Sequence, residues 1–166
     1  MERQDYRQLM RNHAGAPVII ATGVPGNRTG LTATAFCSLS DSPPTVIVCV
    51  NHNASAHPLI RETASFSVNL LRDGQTEAAL KFSGQTGLKG EARFDDGWSV
   101  GVIGAPVMNA ALASLECELV ESLDYASHTI FVGLVRGAQF DEDAEPMLYF
   151  RGNFIGLPGR GAIAAA

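Results

Sequence analysis

No basic cluster occurs anywhere in this sequence. Its 12 Lys and Arg are scattered among 17 Asp and Glu, for a formal net charge of −5. A nucleic-acid binder normally shows a basic stripe, so that class is excluded. Long apolar runs are missing too. The longest uncharged stretches, Ser42 to Ile60 and Gly97 to Leu115, are broken by Pro, Asn, Ser, His or Gly. No window approaches the roughly 18–20 predominantly apolar residues of a membrane span. The opening residues Met1 to Asp5 are polar and hold no apolar signal core, so the expected location is cytoplasmic. Cysteine is scarce: Cys37, Cys49 and Cys117 cannot all pair, none lies in a Cys-x-x-Cys spacing, and each reads as a small buried hydrophobe. His13, His52, His57 and His128 match no zinc spacing, and no carboxylate joins them in one. No metal is expected.

What is abundant is apolar side chain, 46% of 166 residues, enough for the core of one domain. That domain is placed at 1–158, with a Gly/Ala-rich tail at 159–166 expected to fray. Tyr6, Leu9 and Met10 are spaced for a short amphipathic helix over Asp5 to Asn12. Val18 to Gly23 is largely β-branched and apolar, and the Pro25-Gly26-Asn27 cluster turns it into a hairpin. A strand follows from Gly30 to about Leu39. Thr45 to Val50 is a continuous apolar run, the pattern of a strand buried on both faces. Ser55 can cap a helix with Pro58 in its first turn, ending near Ala64. Further strands are expected at Phe66 to Leu71, Leu112 to Leu123, Thr129 to Val135 and Met147 to Phe150. Thr76 to Phe82 reads as a helix and Gly84 to Gly97 as a loop. Glu116 and Glu118 alternate with Leu115, Cys117 and Leu119, so the two carboxylates are expected on a wet strand face. The fold class is mainly β: a largely antiparallel β-barrel with short flanking helices. A Rossmann sheet is excluded, because helices of about 10–15 residues do not separate most strands.

Gly30 to Ser40 (Gly-Leu-Thr-Ala-Thr-Ala-Phe-Cys-Ser-Leu-Ser) carries the clearest chemistry. On one strand, Thr32, Thr34, Ser38 and Ser40 share a face. Either that face is merely solvated, or its hydroxyls line a polar ligand such as a phosphate or a ribityl chain. A second constellation follows the apolar strand, with Asn51 at its end and Ser55 at a helix start. Such a terminus is either a plain cap or a receiver of phosphate that needs no basic residue.

These segments, taken in order with Asp41-Ser42-Pro43-Pro44, Ala54 to His57, Phe66 to Leu71, Lys81 to Gly84, Gly104 to Val107 and Tyr149 to Gly152, resemble the flavin reductase family over about 5–157. The family includes the reductase partners of two-component flavin monooxygenases. The resemblance implies a flavin-binding split barrel, a homodimer, FMN or FAD as cofactor, and NADH or NADPH as co-substrate. It implies that Thr32, Ala33 and Thr34 line the isoalloxazine, with Ser38 and Ser40 there or at the ribityl phosphate. Asn51 and Ser55 would hold the phosphate, and Lys81, Phe82 and Gly84 would flank the flavin. His128 and Arg151 are the nicotinamide candidates, although Ala126-Ser127-His128 stands where many members have Gly-Asp-His. His128 begins the alternating run His128, Ile130, Val132, Leu134, which is expected to edge a buried face.

The implied function is an NAD(P)H:flavin oxidoreductase that passes reduced flavin or electrons to a partner oxygenase or another acceptor. The alternatives are a flavin-binding electron carrier that takes no hydride from a nicotinamide, and a reductase specialised for a corrin cobalt. The last is compatible with the Arg11 to Ala16 stretch. No catalytic acid–base set is expected, since flavin itself does the redox chemistry.

Overall fold

The computed structural model describes residues 1–157; the expected frayed tail lies outside them. α1 (Arg3–Met10) lies on the surface with none of its residues buried, its Tyr6, Leu9 and Met10 exposed. β1 (Val18–Val24) and β2 (Asn27–Ala33) form the first hairpin, and β3 (Phe36–Asp41) and β4 (Pro44–Asn51) the second. α2 (Ala56–Thr63) leads to β5 (Ser65–Leu70), and α3 (Thr76–Phe82) to a long connection containing one short 3₁₀ turn, Gly90–Arg93. β6 (Trp98–Val100) pairs with β7 (Pro106–Met108). β8 (Ala113–Tyr125) and β9 (His128–Phe140) are the longest strands, and β10 (Met147–Phe150) pairs with β11 (Asn153–Gly156).

Seven strands form one antiparallel sheet in the order β2-β1-β5-β8-β9-β4-β3. Its two edges, β2 and β3, are joined by Thr34 and Ala35 alone. Two residues reach only a few ångströms, so the end of β2 and the start of β3 lie close together and the sheet must curl strongly to bring them there. Here the expected single strand over Gly30 to Leu39 is corrected. Thr34-Ala35 breaks it, because Phe36 N–H turns back to Thr34 C=O and Ala35 C=O accepts from Cys49.

β1 explains why its sequence does not alternate. Val18 and Ile20 join Val46, Val48, Val50, Phe66, Val68, Cys117 and Phe131 inside the barrel, with Ala56 and Ile60 of α2 packed among them. Ile19 and Ala21 face outward, yet they are buried under Leu71, Ala79, Phe82 and Met147. Fully burying one such aliphatic side chain contributes about 1.5–3 kcal/mol. β4 differs from expectation. Its Val46, Val48 and Val50 are buried, whereas Ile47 and Cys49 on the opposite face are only half-buried.

Two more expectations are overturned. Glu116 is not wet: the Gly101 to Gly104 turn folds over it, and Ile103 N–H donates to its carboxylate at 3.0 Å. A Cβ at Gly101 would overlap that carboxylate, so a larger residue there would require the Glu116 side chain to shift. Glu118 remains exposed and pairs with Arg136. The inward positions of β9 are Thr129, Phe131 and Gly133, all buried. His128, Ile130, Val132 and Leu134 therefore belong to the outer face, and His128 is exposed.

Candidate functional site

Two cavities lie end to end along β2. One, of about 400 Å³, is lined by Gly30, Leu31, Asn53, Ala54, Ser55, Phe82, Ser83, Gly84, Lys89 and Arg93. The other, of about 270 Å³, is lined by Pro17, Thr32, Ala33, Thr34, Ser83, Gln85, Tyr149 and Phe154. Ser83 borders both, so they form one groove with a cationic end and an aromatic end.

The cationic end is built by close backbone approach. A Cβ at Gly30 would meet Ile20 C=O at 2.7 Å and the Phe82 ring at 3.1 Å. Glycine lets β2 lie flat under Phe82, and the groove opens beside it. Arg93 donates to Gly30 C=O at 2.7 Å and to Leu88 C=O at 2.9 Å, which holds its guanidinium half-buried at the wall. Burial pulls its pKa below the ordinary arginine value. The next turn is fixed by Arg28, whose guanidinium grips Glu91 and whose backbone N–H donates to the same carboxylate at 3.1 Å. Those bonds hold Glu91 below its ordinary pKa. Ser55 comes from the start of α2, and its hydroxyl is 2.6 Å from that of Thr29. The bond ties the helix to β2 without filling the cavity.

The aromatic end is set by Tyr149 on β10 and Phe154 on β11, whose rings are 5.2 Å apart. Gly15 and Tyr149 exchange both backbone bonds, so β10 is anchored against the segment entering β1.

The residues expected from the sequence divide clearly. Thr32, Ala33, Thr34, Ser55, Phe82 and Gly84 line the groove. The Thr32 hydroxyl, however, is spent on α3, donating to Ala79 C=O at 2.6 Å. Ser38 and Ser40 do not join it, because they lie on β3 at the other sheet edge, and Ser40 Oγ accepts from Ser42 N–H. The four-hydroxyl face therefore does not exist. Asn51 lies outside both linings, and its side chain shapes the turn by accepting from Asn53 N–H at 2.8 Å. Lys81 points to Asp95 at 2.9 Å, outside both cavities. The Arg151 guanidinium donates to Asn12 at 2.9 Å and lies 5.1 Å from the Phe150 ring. His128 borders neither cavity, and its Nδ1 is 2.9 Å from Ser127 Oγ.

Sequence reasoning missed Lys89, Arg93, Gln85 and Phe154. The signal for the first two was present. They are a cationic pair four residues apart in the glycine-rich Gly84 to Gly97 loop, and an anion in an acidic protein needs a countercharge.

Residues 10–158 match the flavin reductase like domain. The chain belongs to the flavin reductase family. It is 37% identical over 156 residues to the FMN reductase (NADH) RutF of Stutzerimonas stutzeri, spanning 93% of this chain and 88% of that one. It is 34% identical to the 4-hydroxyphenylacetate 3-monooxygenase reductase component of Salmonella dublin, spanning 92% and 91%. The fold superposes with a TM-score of 0.89 on BorF, the flavin reductase component of a bacterial two-component tryptophan halogenase. Identity there is 31%, covering 96% of this chain and all of BorF. Membership in the flavin reductase family agrees with the antiparallel barrel and with the resemblance read from the sequence.

Proposed function

We propose that the protein uses a nicotinamide dinucleotide, NADH as in its named relative, to reduce FMN held in the β2 groove. The observation that carries this reading is the groove's polarity. Lys89, Arg93 and the start of α2 suit a phosphate at one end, and Tyr149 and Phe154 suit a planar ring at the other. Flavin supplies the redox chemistry when bound, accepting hydride from the dinucleotide. The chain's own residues bind and orient. Lys89 and Arg93 neutralise the phosphate, Thr32 to Thr34 present backbone to the ring edge, and Phe82 closes the floor. His128 and Arg151 remain the candidates for the dinucleotide.

The product is reduced flavin, taken up by a partner oxygenase. The acting form is a homodimer, and the cytoplasm is its setting. The dimer reading gains support from the outer face of β3, β4, β9 and β8. Cys37, Ile47, Cys49, Ile130, Val132 and Leu123 lie there half-buried or exposed, an apolar face without cover among the described residues.

The deciding experiment is anaerobic mixing of the protein with FMN and NADH, and separately NADPH, while following the visible band of oxidised flavin. Rapid bleaching with NADH is expected. Absence of bleaching with either dinucleotide would reassign the chain to electron carriage.

A further inference from the structure

We propose that His52, His57 and Asp124 form a binding site for a divalent transition-metal ion of the zinc class. The site is independent of the flavin groove and does not rest on the reading above. His52 directly follows β4, His57 lies in the first turn of α2, and Asp124 is near the end of β8. The fold brings these separate segments together so that one ligand atom from each lies within 4.8 Å of the others. Tetrahedral zinc with bonds of about 2.0–2.1 Å needs its ligand atoms roughly 3.4 Å apart. His52 Nε2 and Asp124 Oδ1 are already at 3.8 Å, and both side chains are exposed enough to close the remainder.

The rest of the cluster is held in place. The His57 ring is half-buried, 5.0 Å from the His52 ring and 5.5 Å from Phe131. Thr129 Oγ1 lies 2.7 Å from His57 Nε2 and donates to Asp124 Oδ1, orienting both residues. Such outer partners tune ligand direction and basicity in metal sites. Arg61 also takes Asp124 Oδ1, at 2.6 Å, so an incoming cation has to displace its guanidinium from that oxygen. Two imidazoles and one carboxylate with an open position suit Zn²⁺ and its neighbours rather than Mg²⁺ or Ca²⁺. Binding involves no redox step; the metal takes one lone pair from each ligand, and any imidazole proton in its way goes to solvent. His52 N–H donates to Ser127 C=O at 2.9 Å, so an occupied site clamps the turn carrying His128 to α2.

Arg61 is the competitor, and it makes the proposal testable in both directions. Tag-free full chain, dialysed against EDTA and then freed of it, is titrated with ZnCl₂ by calorimetry. One zinc per chain is expected, weakened tenfold or more in both His52→Ala and Asp124→Asn. Arg61→Gln should bind zinc more tightly, because it removes a cation from the shared carboxylate. Circular dichroism establishes that each variant is folded, and His52 is exposed enough that its variant tests the site even if another fails to fold. No zinc uptake, uptake unchanged in His52→Ala, or weaker uptake in folded Arg61→Gln would overturn the site.

Discussion

At the residue scale, the groove's countercharge is the point most open to test. Lys89→Ala removes a cation whose side chain makes no hydrogen bond among the described residues, so its effect should fall on the ligand. A charge-assisted bond is worth about 1.5–3 kcal/mol. FMN affinity should fall roughly tenfold or more, while riboflavin, which lacks the phosphate, should bind as before. Fluorescence titration of both flavins checks this, and equal losses would mean that Lys89 does not meet the phosphate. His128→Ala should leave flavin affinity unchanged and slow NADH-dependent reduction by about tenfold, or roughly 1.4 kcal/mol. Stopped-flow reduction separates that outcome from a general loss of folding. The thiols should also differ. Burial pushes Cys117 up to about 12, with Glu116 adding to the effect, whereas Cys37 is exposed. Iodoacetamide at pH 8 should reach Cys117 only after unfolding, and should label Cys37 faster in the monomer than in the dimer whose interface would cover it, as read by peptide mass spectrometry.

At the element scale, the 3₁₀ turn at Gly90–Arg93 holds Arg93 at the groove and is itself held by Arg28–Glu91. The Arg28 hydrogen bond is the main cause that keeps Glu91 below its ordinary value of 4.5. Folding therefore favours the ionised form. Its stabilisation is complete above about pH 4.5 and is lost as pH falls through the lower folded value. Glu91→Gln should lower Tm at pH 6, and the gap to the parent should shrink toward pH 3. A constant gap across that range would remove the ion pair as the cause. Thermal scans at several pH values suffice. Much at this scale was legible in the sequence. The 3.6-residue spacing at Thr76 to Phe82 and the β-branched run at Val18 to Gly23 both form as expected. The break at Thr34-Ala35 was not legible. Both residues suit a strand, and only the change of partner from β1 to β4 forces the chain to leave one ladder for the other.

At the scale of the whole molecule, the uncovered outer face around Ile130 and Val132 should bury itself against a second copy. Val132→Asp, on a half-exposed position that points away from the core, should shift sedimentation toward 17.6 kDa. The substitution should leave circular dichroism unchanged. A parent that sediments as a monomer across concentrations would remove the dimer. The exposed Leu123 and Tyr125 continue the same face toward His128, with Leu123 opposite Ile130 and Tyr125 opposite His128.

Local pattern by itself determined the helices and the longer strands, because side-chain period and turn residues act over a few positions, but it did not show β6, β7, β11 or the division of β2 from β3. The ordered motifs determined the family. Where those segments meet was decided only in three dimensions. Thr32 and Ser38 are six residues apart in one motif, yet the curled sheet assigns one to β2 and the other to β3. Lys89 and Arg93 line the same cavity as Gly30 from some sixty residues away, and Arg93 is held there by side-chain bonds to the Gly30 and Leu88 carbonyls that no spacing rule encodes. Glu116 reads as wet by alternation and is buried because a distant turn folds over it. Long-range burial depends on what packs above a face, and a strand's own sequence carries no record of that neighbour.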